Sequence, residues 1–122
     1  MDSILTSIKK RLGISEEYEH FDPDIIMDIN AVMGILEQLG VGPDGGFSIA
    51  DKSAIWSDYL PDAPTNVLGM VKDYIYLKVK MMFDTSTMTG SAINSAESLI
   101  SELEWRLNVA VDSGGINDGS AD

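Results

Sequence analysis

The sequence predicts a mainly α protein, a small four-helix bundle with an irregular loop or short β-hairpin inserted between the second and third helices. Three observations predict it. Apolar residues recur at steps of three and four in four separate stretches, the period of a helix face. Gly, Pro or short polar residues stand at the ends of these stretches, as at helix termini. Between the second and third, the roughly 25 residues from Val41 to Thr65 lose the period and collect turn-forming residues.

The first helix spans about Asp2 to Leu12. Ile4, Leu5, Ile8 and Leu12 share one side, and Gly13 stands where a left-handed residue ends a helix. Lys9, Lys10 and Arg11 occupy the last turn, where cations complement the helix dipole. With no second basic cluster to join them, they make a poor nucleic-acid patch. Asp22 is placed to cap the second helix, with Pro23 in a first-turn position that suits its missing N–H. Ile25, Ile29, Val32, Leu36 and Leu39 follow at steps of four, three, four and three, Ile26 and Met33 widen the stripe, and Gly40 closes it.

In the interval, Gly42-Pro43-Asp44-Gly45-Gly46 marks a turn, and Phe47-Ser48-Ile49 alternates like a short strand or hairpin arm. Trp56 and Tyr59 follow, then Leu60-Pro61-Asp62-Ala63-Pro64, which ends any short helix begun near Asp51. Two roles fit so long a connection: a flap covering the core with Phe47, Ile49 and Trp56, or an arm that binds a partner.

The third helix, Asn66 to Phe83, is apolar around most of its circumference. Val67, Met70, Tyr74, Leu77 and Met81 form one stripe and Leu68, Val71, Ile75, Val79 and Met82 a second beside it, leaving Lys72, Asp73, Tyr76 and Lys80 as a narrow polar edge. Such a helix is either central in the bundle or shared with a neighbouring chain. Asp84-Thr85-Ser86-Thr87 and Gly90 precede the fourth helix, about Ser91 to Val111, in which Ile93, Ala96, Ile100, Leu103, Leu107 and Ala110 make a narrow seam. Trp105 and Val109 fall roughly 140° to 180° from the centre of that seam. They are either stray surface residues or an anchor for another subunit, where Trp is enriched. Glu102 and Arg106 form a supporting i,i+4 pair. Residues 1–111 thus form the helical domain, and Asp112 to Asp122, rich in Gly, Ser, Asn and Asp around Ile116, reads as a flexible tail. Candidate subunit or partner contacts are Trp105, Val109, Tyr76, Lys80, Phe47, Ile49, Trp56 and Tyr59.

Composition narrows the function classes. At 122 residues the chain suits one domain with a modest core. Twenty acids against 8 bases give a net charge of -12, which argues against phosphate-backbone recognition, a process driven by Lys and Arg. Absent cysteines exclude disulfides and thiolate metal sites. No run approaches the ~18 apolar residues of a membrane span, and the N-terminus places its charges after its apolar residues, the wrong order for a signal peptide. Intracellular synthesis is the expectation.

Catalytic signatures are nearly absent. His20, Asp22 and Asp24 can be drawn as a metal site, but Asp22 has a capping role and no second ligand cluster is evident. Ser57 and Asp58 have no base except that same distant His20. Glu16 with Glu17 and Glu102 with Glu104 point in different directions on a helix and read as solvated faces. Gly42 to Gly46 lacks the Lys and the strand-to-helix context of a phosphate loop and the spaced oxygen ligands of a calcium loop. The seven methionines fit core gap-filling better than an adaptable groove. No enzyme activity, metal or cofactor is expected.

Five phrases carry a resemblance: Ser7-Ile8-Lys9-Lys10-Arg11-Leu12-Gly13-Ile14; Phe21-Asp22-Pro23-Asp24-Ile25-Ile26-Met27-Asp28-Ile29-Asn30; Ile35-Leu36-Glu37-Gln38-Leu39-Gly40-Val41-Gly42; Tyr74-Ile75-Tyr76-Leu77-Lys78-Val79-Lys80 with Phe83-Asp84; and Glu104-Trp105-Arg106-Leu107-Asn108. In order and spacing these resemble the small head-to-tail connector proteins of tailed bacteriophages, also called head-completion or adaptor proteins. The resemblance extends to about Val111 and implies a structural virion protein at the head-tail junction, made in the bacterial host cytoplasm. It further implies a homo-oligomeric ring of about a dozen copies that binds the portal protein, offers a surface to the tail completion or stopper protein, and extends the DNA channel. An acidic wall suits a channel through which DNA slides without sticking. In such a ring the wide apolar arc of the third helix and the off-seam Trp105 have a use.

Two other classes compete. An acidic regulatory module, a DNA mimic or enzyme inhibitor, predicts a spaced array of surface carboxylates, whereas the acids here are scattered over every segment. An enzyme predicts metal dependence or a requirement for His20.

Overall fold

The computed structural model describes residues 3–83, 86 and 88–112. It is mainly helical, with five helices among the described residues: α1 (Ile4–Arg11), α2 (Asp22–Gln38), α3 (Trp56–Tyr59), α4 (Thr65–Phe83) and α5 (Gly90–Asp112). The four long stretches of helical period all form helices, each starting or ending within about two residues of the sequence expectation. Ser3 caps α1, its Oγ accepting from the Thr6 N–H at 3.2 Å. At both the α1 and α2 C-termini a glycine takes the left-handed conformation a side chain resists, Gly13 at φ 82° and Gly40 at φ 92°. Each closes a Schellman turn, with Ile14 donating to the Lys9 carbonyl and Val41 to that of Leu36.

One assignment near the start of α2 is corrected. Phe21 is its N-cap and no side chain caps it; Asp22 is the first helical residue. The Asp22 carboxylate is instead drawn to Lys9, whose Nζ lies 2.8 Å away. Lys9 stands in the last turn of α1, as expected, and is buried there. It is only 2% exposed, and its ammonium also donates to the carbonyls of Glu16 (3.0 Å) and Tyr18 (2.8 Å). Two carbonyls accept from the ammonium and the Asp22 carboxylate balances its charge as an ion pair, so the buried cation is both hydrogen-bonded and paired. One side chain thereby fixes the whole α1–α2 connection.

The interval between α2 and α4 contains no hairpin. Phe47-Ser48-Ile49 is irregular, and among the described residues the strand-like pairing is a single antiparallel bridge, Ser3 to Ile55. A polar side chain of α2 satisfies this backbone in place of a partner strand. The Asn30 Nδ2 donates to the Ile49 carbonyl at 2.9 Å, and the Ile49 N–H donates to Asn30 Oδ1 at 2.8 Å. Beyond it, the one-turn α3 raises the helix count from four to five. Its start is held by Asp58, which accepts from the Ile55 N–H at 3.0 Å, and Pro61 follows shortly after its end.

Helix α4 is the hub, packing against α1, α2 and α5. Val67, Val71, Tyr74, Ile75 and Val79 are buried, and Leu68, Met70, Leu77 and Met81 are half-buried against the same core. Both apolar stripes are therefore covered mostly within this chain, while Met82 at the C-terminal end stays 49% exposed. Helix α5 buries Ala96, Ile100, Leu103 and Leu107, the expected seam. The buried Tyr74 hydroxyl ties the two helices, donating to Glu104 Oε2 at 2.7 Å. Burial first, then this bond and the charge of Glu104, push its pKa upward, so it remains a donor. The tail expected from residue 112 onward lies outside the described residues, except Asp112, which ends α5.

Candidate functional site

The eight candidate contact residues separate into an inner and an outer set. Trp56, Tyr59 and Ile49 are buried in the core of their own chain. The Trp56 indole N–H donates to Ser7 Oγ at 3.1 Å, and Lys72 Nζ lies 5.3 Å from the centre of its ring. Phe47 is half-buried and packs on Tyr59 with ring centres 5.0 Å apart. The Tyr59 hydroxyl has no hydrogen-bond partner among the described residues, and burial pushes its pKa up. These four residues cover the core. Tyr76 and Lys80 are half-buried on α4, and Tyr76 lies under the Arg11 guanidinium, 4.4 Å from its ring centre, while Arg11 pairs with Asp73 at 2.8 Å.

Trp105 and Val109 are different. Trp105 is 67% exposed, and Leu99 and Val109 are also open. At about 100° per residue Trp105 and Val109 stand opposite the seam of α5 with Glu102 beside them, while Arg106 and Leu99 lie on the flank between that face and the seam. Glu102 and Arg106 pair along the edge of this face, with Nη2 and Oε2 2.8 Å apart. A large indole held in water beside an exposed Val is the composition of a contact anchor.

Two open clefts flank the bundle, and residues that sequence reasoning passed over line both. Phe21, Asp24, Met27, Asp28, Met82 and Phe83, where α2 begins and α4 ends, surround about 610 Å³. Met27 is 65% exposed there. Burial and the neighbouring charge of Asp24 raise the Asp28 pKa. The second cleft, about 500 Å³, lies along α1 and is lined by Ser3, Thr6, Ser7, Lys10, Arg11, Glu16 and Lys72. Lys72 joins the α1 cations only through the packing of α1 on α4, which spacing along the chain did not reveal.

His20 is exposed, edge-on to Phe21 with ring centres 4.9 Å apart, while Asp22 is held by Lys9. No group of three or more His, Asp or Glu is positioned for a cation among the described residues. No helix among them is long and apolar enough to cross a membrane.

Comparison with known proteins gives a family. A family model described as phage connector protein matches residues 4–114, covering all five helices. No curated protein and no solved structure matches significantly. The chain belongs to the phage connector protein family, a family of structural virion proteins of the head-tail junction that contact other head and tail proteins.

Proposed function

We propose that this protein is a ring adaptor: about a dozen copies sit beneath the portal, lengthen the DNA channel and present a docking surface to the tail completion or stopper protein. The observation that carries this proposal is the outer face of α5. The bundle closes its core without Trp105 and Val109, yet Trp105 stands there 67% exposed. Trp is enriched among the few positions that dominate subunit contacts. The net charge of -12 supports the channel role, since a wall of carboxylates repels passing phosphates instead of holding them.

The test is sedimentation of wild-type and Trp105→Ala protein with purified portal rings from the same genome. Wild type is expected to co-sediment with the portal and the variant to do so at least tenfold more weakly. Wild type that stays free at both low and high salt would overturn the adaptor role.

A further inference from the structure

The cations of this chain are unevenly placed. Three of its eight, Lys10, Arg11 and Lys72, line the cleft along α1 beside a single acid, Glu16, so the cleft is net basic. Of the others, Lys9 is enclosed by its own acceptors and Arg106 is matched by Glu102. Lys10 and Lys72 have no ion-pair partner among the described residues, and the Arg11–Asp73 pair beside them is solvent-exposed. Two copies each carrying -12 repel on approach, so a stable contact between them must bring the sparse cations of one against acids of the other.

The cleft at the other candidate surface has the complementary composition. Asp24 and Asp28 stand one helical turn apart on α2, and the like charges face one opening. Burial first, then the like charge of Asp24, raises the Asp28 pKa, and no cation stands among the lining residues. Exposed Met27 and Met82 edge the opening, flexible side chains that conform to whatever covers them.

We propose that copies of this chain meet head to tail, the Lys10–Arg11–Lys72 cleft of one copy seating on the Asp24–Asp28 cleft of the next, with Met27 and Met82 buried in the contact. This deepens the adaptor proposal and rests on it for closure into a ring. Because the two surfaces differ, the contact is heterologous: it closes a ring when the rotation closes and otherwise makes open chains. A two-fold contact of either cleft with itself would place like charges together.

The absence of cysteine makes the contact testable with the full chain in solution. A chain carrying Thr6→Cys and Met27→Cys, mildly oxidised at low salt, is expected to give a ladder of disulfide-linked species on a non-reducing gel, while either single substitution gives dimers at most. Adding Lys10→Glu and Lys72→Glu to the doubly substituted chain is expected to cut the ladder at least fivefold without changing its circular dichroism. Mixing Thr6→Cys/Lys10→Glu/Lys72→Glu with Met27→Cys/Asp24→Lys/Asp28→Lys is then expected to restore the cross-link. No ladder, a ladder indifferent to charge reversal, or no rescue on mixing would each overturn the proposal. So would retention of duplex DNA by the α1 cleft, abolished by Lys10→Glu/Lys72→Glu, with no linkage between copies. Portal binding by the unsubstituted chain separates the two proposals: a ladder without portal binding removes the adaptor role and leaves the contact, and portal binding without a ladder does the reverse.

Discussion

Lys9 holds the start of the chain together by a charge inside the molecule. Its ammonium is closed in by two carbonyls and the Asp22 carboxylate, so removing it leaves two carbonyls without their donor and a carboxylate without its counter-charge. Lys9→Met, which keeps the apolar stem, is expected to lower stability by about 3 kcal/mol in urea unfolding. A loss under about 0.5 kcal/mol, the range of ordinary surface changes, would show the network to be ornamental. The role was half legible: Lys9 falls four residues after Leu5 and three before Leu12, inside the apolar stripe of α1. Its acceptors come from an irregular connection whose path no periodicity specifies. Asp28 acts in the opposite sense. Its raised pKa means that the folded state binds its proton more tightly than the unfolded state, so the ionised group lowers stability at neutral pH. That cost disappears as pH falls through the raised pKa and toward the ordinary Asp value. Asp28→Asn is therefore expected to raise Tm at pH 7, the difference closing on acidification; a lower Tm at pH 7 would reverse the sign of the environment.

Among the elements, α2, α4 and α5 were legible because each carries four or more turns of apolar period, and the buried residues are those of the expected stripes. Position within the bundle was less so. A helix apolar on most sides fits either a hub or a shared interface, and only the packing of α4 against three other helices shows it to be the hub. For the interval before α4, alternation at Phe47-Ser48-Ile49 left a short strand open beside an irregular loop, and the segment is irregular. Asn30, one residue after the buried Ile29, supplies the hydrogen bonds that a partner strand would have supplied. Asn30→Ala is expected to cost about 1–3 kcal/mol and to speed hydrogen exchange at Ile49 far more than in α5. Unchanged exchange at Ile49 would mean that the apolar contacts of the loop alone hold it. On α5, the outward position of Trp105 followed directly from the wheel. Trp105→Ala is expected to change unfolding free energy by less than about 0.5 kcal/mol while weakening assembly, and a collapse of Tm with assembly intact would place the indole in the fold instead.

The whole molecule combines a core that closes on itself with a surface that does not. The core unites α1, α2, α4 and α5 under a loop pinned by Asn30, and leaves an exposed aromatic face on α5 and two clefts of opposite charge. The clefts were invisible in the sequence because each gathers residues from two helices distant along the chain. The abundance of acid was plain, and in a ring it has a direct consequence: raising salt screens repulsion between neighbours and attraction between unlike clefts alike, so assembly depends on both net charge and its placement. The most direct measurement is negative-stain imaging of purified portal rings mixed with this protein. A collar of added density at one end of the portal, continuing its channel and built from repeated copies, is the expected result. Portal rings left bare at every salt concentration, with the protein monomeric beside them, would contradict the adaptor role.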